Sequence, residues 1–174
     1  MKMYKVIAAS AVLVLGAATG AFAQDKPTDP QIAHIAYTAG AIDIAAAKLA
    51  LSKSTNKAVT DFARSMVGDH QAVNDQALAL VHKLGVTPED NPTSQALTKA
   101  AEAKRTELAT LKGAAFDKAY VDNEVAFHKQ VDQALETLLI PSAQNPELKG
   151  LLETGLKLFQ GHEQHAEHVA AALK

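Results

Sequence analysis

Residues 57–84 read KAVTDFARSMVGDHQAVNDQALALVHKL, and this stretch decides the fold. Val59, Phe62, Met66, Val73, Ala77, Leu80 and Leu84 form an apolar stripe along it, and most other positions are polar. That is the 3.6-residue period of an amphipathic helix, held over far too many residues for a strand. Ser54-Thr55-Asn56 supplies N-cap chemistry before it, and Gly85 ends it as a left-handed C-cap would.

The same period extends outward in both directions. Pro30 to Ser52 carries Ile32, Ile35, Ala39, Ile42, Ala46 and Ala50 on one stripe. Ala114 to Ile140 carries Phe116, Tyr120, Phe127, Val131, Leu135 and Leu138, and a last pattern runs from Pro146 to Leu173. Thr93 to Leu111 reads as a weaker, polar helix on the outside or in a long connection. The prolines at 27, 30, 88, 92, 141 and 146 bracket these segments. The expectation is an all-α four-helix bundle over residues 31–174, with an additional short helix in the long connection.

The N-terminus is of another kind. Lys2 and Lys5 precede an apolar run from Val6 to Gly20, and Ala21-Phe22-Ala23 offers the small residues of a signal-peptidase site. The run falls short of the roughly 20 residues of a membrane span. Residues 1–23 are therefore read as a signal peptide cut after Ala23, residues 24–30 as a short tether, and the protein as periplasmic or secreted, with no integral membrane span after cleavage.

Charge and cysteine usage narrow the function. Removing Lys2 and Lys5 from 17 basic residues leaves 15 against 19 acidic. A net-acidic chain with no basic patch is not a nucleic-acid binder. There is no cysteine, so core burial must supply stability and any metal site must use His, carboxylate or Met. No nucleophile elbow, Gly-rich phosphate loop or dinucleotide fingerprint is present, and nothing names a substrate or marks an enzyme.

Polar residues on apolar stripes are the informative exceptions. At 100° per residue, His70 lies about 40° from the stripe centre at Met66, and Asp69 about 60° off on the other side. Glu124 sits near the centre of its helix, with Asp117 about 20° and His128 about 40° away. His162 lies about 20° from the centre of the last stripe, His165 at its flank, and Asp43 about 40° from Ala39 in the first. His34, His82 and His168 point outward. With the turns near residues 55 and 143 placed at the same end, Asp43, His70, His128 and His162 lie about 18–29 Å below them. Together with Glu124 they make one layer midway along the bundle, and Asp117 falls lower.

Imidazoles and acids meeting at one depth suit a divalent ion, because a shared cation satisfies both. The expected ligands are His70, His128 and His162 with Glu124 or Asp43; Asp69, Asp117, Asn74, Met66 and His165 support them. Zinc or copper fits such a set, Met66 being the residue that admits copper. The other reading is a metal-free envelope or stress protein whose buried polar network fixes helix register.

Met66-Val67-Gly68-Asp69-His70 with Asn74, Gly113 to Tyr120, His128 and His162 resemble the family called domain of unknown function 4142. The first helix, with Gly40-Ala41-Ile42-Asp43 and Lys48-Leu49-Ala50, is similar too, although the Asp43 position is more usually Glu there. The resemblance implies a secreted bacterial protein of ferritin-like architecture, with family-typical polar positions at Asp43, Asp69, His70, Asp117, His128 and His162. It implies no settled activity. Di-iron bundles place a Glu three residues before each His; here Val67 and Phe159 stand there, so a di-iron centre is not expected.

Overall fold

The computed structural model describes residues 26–173. The expected signal peptide and its cleavage point lie outside the described residues. α1 spans Asp29–Lys53, α2 Lys57–Leu84, α3 Pro92–Thr110, α4 Gly113–Ala134, α5 Ile140–Ser142 and α6 Pro146–Ala172. No strand occurs among the described residues, and the architecture is an all-α helical bundle.

Local chemistry sets the ends. The Asn56 side chain accepts from the Ala58 amide at 2.9 Å, and Asn145 accepts from Glu147 and Leu148 at 2.9 and 3.1 Å. These side chains satisfy amides that a helix start leaves open. Gly85 closes α2 with φ of 62°, a conformation that only glycine adopts cheaply. The tether is shorter than the sequence indicates, since Asp29 and Pro30 already belong to α1.

α1 packs chiefly on α2 and α4 on α6, while α2 faces α6 and α1 faces α4. α3 lies along α1 and is the connection that crosses the bundle. At one end the Glu89 amide donates to Pro30 O, and Asp29 accepts from the Gln144 and Asn145 amides at 2.8 Å each. At the other, Lys53 Nζ donates to Ala109 O at 2.6 Å and lies 5.6 Å over the Phe116 ring.

The turns near residues 55 and 143 are therefore at opposite ends, not at the same end. The reason is α3: at 1.5 Å per residue its 19 residues cover about 28 Å. It returns the chain to the far end before α4 begins, so α2 and α4 run in the same direction. One long crossover of this kind is the connectivity of ferritin-like bundles.

A second departure lies in the Ala114–Ile140 pattern. α4 stops at Ala134, and Leu135–Leu139 form a π-turn before α5. Ile140 N–H donates to Leu135 O, and Pro141, which has no N–H, follows. Leu135 and Leu139, at the two ends of this turn, are both buried.

The core has two apolar storeys. One contains Val59, Phe62, Met66, Phe116, Tyr120 and Val169; the other contains Ile32, Ile35, Leu135, Leu139, Leu152 and Phe159. Between them lies a polar layer.

Candidate metal centre

Each long helix carries polar side chains into this layer from its middle. Asp43 comes from α1, His70 from α2, Glu124 and His128 from α4, and His162 from α6; all five are buried. The ring centroids are 5.8 Å apart for His70 and His128, 5.1 Å for His70 and His162, and 5.6 Å for His128 and His162. The shared depth survives the reversal of one helix pair, because residues halfway along a rod stay halfway whichever end is up.

The partners of each ring decide which nitrogen is free. His128 Nδ1 lies 2.9 Å from Glu124 O, and a carbonyl can only accept, so Nδ1 carries the proton and Nε2 a lone pair. His162 Nε2–H donates to Asp69 Oδ2 at 3.0 Å, leaving Nδ1 bare. His70 Nε2 approaches Asp43 Oδ2 at 3.3 Å, but out of hydrogen-bond direction, and neither of its nitrogens has a protein partner. His128 Nε2, His162 Nδ1, both Glu124 carboxylate oxygens and the Tyr120 hydroxyl are likewise buried without one. Each such orphan costs about 1–3 kcal/mol in a protein interior. A set of converging lone pairs is what a cation satisfies.

Burial sets the charge state. It pulls His70 down to about 3, with His162 and His128 adding to the effect. It pulls His128 down to about 4 against the opposing bond from Glu124 O, and lowers His162 against the pull of Asp69. Burial also raises Glu124 to about 7 and holds Asp43, beside Glu124, well above the usual carboxylate range. Tyr120 is pushed up by burial and by the two acids. Burial thus disfavours an ion pair between His70 and Asp43. Neutral imidazole is the form that ligates metal.

Donor atoms of His70, His128 and His162 all lie within 4.8 Å of one another, and so do those of Asp43, Glu124 and His128. The five residues thus form two triads joined at His128. A tetrahedral zinc with bonds of about 2.0–2.1 Å sets its donors about 3.4 Å apart, closer than the 4.8 Å within which each triad's donors lie.

The remaining expected residues take other places. Asp69 is half-exposed and holds His162. Asn74 is buried one turn from His70, and its Nδ2 donates to Tyr37 O at 3.4 Å. Met66 packs in the apolar storey above. Asp117 is buried away from the layer, next to Phe116 at the Lys53 end. His165 is exposed, its ring edge-on to Phe62 at 5.1 Å. His82 and His168 are exposed, whereas His34 is half-buried, 3.9 Å from Asp90.

Three contributors escaped the sequence reading. Phe159 stacks on His70 at 4.8 Å and 18°, and Tyr120 buries an unpartnered hydroxyl that feels the charge of both acids. Both look like plain core residues in a stripe. Asp132 is buried with both oxygens unpartnered, and burial beside Glu163 raises it to about 7. Its position four residues after His128 was the available signal.

No curated protein and no solved structure matches the chain. A family model described as Domain of unknown function (DUF4142) matches residues 15–169. That match covers α1 to α5, α6 as far as Val169, and every residue of both triads, and the chain belongs to this family.

Proposed function

We propose that this protein is an exported metal-binding module that holds one zinc or copper ion in the middle of its bundle. The observation that carries the reading is the convergence of His70, His128 and His162, each buried and each with at least one unpartnered ring nitrogen. Asp43 and Glu124 stand beside the triad as anionic donors once they lose their protons. Nitrogen-rich sets completed by a carboxylate suit zinc and copper, and Met66 lies too deep among apolar neighbours to decide between them. Asp69 acts behind His162 as an orienting carboxylate. Residues 1–23 support export, and Gln24 is then the first residue of the mature chain.

A metal-free role as a structural envelope protein has one observation in its favour. Burial favours the uncharged form of each imidazole and each acid, which lowers the cost of leaving the layer without an ion.

Metal analysis of untagged protein purified from the envelope separates the two readings. The metal reading expects close to one zinc or copper per chain and a higher melting temperature on reloading. Metal-free protein that melts identically with chelator and with added zinc or copper would sink it.

A further inference from the structure

The apolar storey on the Phe159 side of the layer is not filled. Ala39, Ala77, Ala134 and Gly155 from four helices line a pocket there, together with the π-turn residues Leu135 and Leu139. The cavity measures about 50 Å³. One water needs about 10–15 Å³, so room is not limiting, but a water also needs two to four polar partners and the walls are nearly all carbon. Enclosed apolar voids stay dry and accept apolar guests, one of about 150 Å³ taking benzene or xenon; this pocket is partly open to solvent, which gives a guest a way in. A third of that volume fits a guest of atomic or diatomic size.

The cavity also has a specific neighbour. Phe159 forms part of its wall and stacks on His70, with His128 6.4 Å from the same ring. Gly155, one turn before Phe159, leaves the ring's cavity side uncovered. π-turns inside α-helices gather at functional sites, and this one lies in the cavity wall.

From these observations we infer that the cavity is a binding site for a small, uncharged, apolar molecule of the size of a diatomic gas, held against the Phe159–His70 stack. The site exists whether or not the histidines hold a metal. A metal there would place the guest one aromatic ring away from the ion.

Xenon is the probe. A xenon NMR titration of the full chain should saturate, and a xenon-pressurised crystal should show one atom in contact with Phe159. Gly155→Ala adds a methyl whose nearest neighbour would be Phe159 Cε2 at 3.6 Å, an ordinary contact, so this variant folds. It should weaken xenon binding several-fold and leave metal content unchanged; Ala77→Leu should abolish xenon binding. A linear, non-saturating shift, or wild-type xenon affinity in Gly155→Ala, overturns the inference. Xenon binding in chelator-treated protein supports it even where the metal analysis fails, so the two ideas stand or fall separately.

Discussion

His162 Nε2 meets Asp69 Oδ2 at 3.0 Å across the seam between α2 and α6, and this bond selects the ring nitrogen that faces the other two histidines. Asp69 is the sequence neighbour of His70, so one turn of α2 supplies both a donor and the group that orients a donor on another helix. Orienting carboxylates of this type are worth about 10–100-fold in metal affinity. Asp69→Ala should weaken zinc binding by that factor in a competition titration. Its melting temperature without metal should stay near wild type, because the side chain is half-exposed.

His128 belongs to both triads, so its loss should be the most damaging to binding. In wild type, an ion at a thousand times its Kd adds about 4 kcal/mol of stability, roughly 10 °C for a domain of this size. His128→Ala should show neither stoichiometric metal nor that thermal gain.

The pH dependence of binding should follow the acid, not the imidazoles. Glu124 holds its proton up to about 7, whereas His70 and His128 stay neutral down to about 3 and 4. A cation must displace the Glu124 proton, so affinity should fall as pH drops through 7, with release of a proton on binding. Glu124→Gln should remove that step and bind more weakly than wild type at pH 8. A wild-type midpoint below 5 would contradict the assignment.

Asp132 gives a pH effect away from the triads. Its folded-state value of about 7 stands above the ordinary 3.8, because burial and Glu163 favour the protonated form. The fold therefore holds a proton that the unfolded chain releases. That contribution is complete below about 4 and is lost as pH rises through 7. Asp132→Asn should melt several degrees above wild type at pH 8, with the gap closing by pH 4.

Gly40 on α1 is pinned by Asn74 on α2. A methyl at residue 40 would lie 2.4 Å from Asn74 Oδ1, so Gly40→Ala must displace that side chain and its bond to Tyr37 O. A loss of about 1–3 kcal/mol is expected for overpacking of this kind. Gly40→Ala with Asn74→Ala should cost less than the sum of the two single changes, which chemical denaturation can measure.

Much of this site was legible in the sequence because of where its residues stand. His70, Glu124, His128 and His162 lie on apolar stripes near helix centres, so neither boundary errors nor the wrong choice of bundle end could scatter them. Asp117 lies far from a helix centre, and for it the end mattered. The sequence pattern put it on the wrong side of the layer, and only α3 crossing the whole bundle corrects that. The π-turn was not legible: the stripe took Leu135 and Leu138, whereas the structure buries Leu135 and Leu139, and all three fit the apolar face of an ordinary helix. Tyr120 and Phe159 were hidden by their dual nature: a ring counts as core whether or not its edge or face serves a neighbour.

Because every donor sits at mid-rod, the centre is guarded by angular phase. One residue inserted into a helix on either side of its donor turns the remainder of that helix by about 100°. Such an insertion swings a histidine or acid out of the layer, or an apolar stripe out to solvent. Extra residues between 86 and 91, or between 143 and 145, turn no helix about its axis and leave all five donors where they are. In this protein length can vary at the rims; between the rims each helix must keep its count.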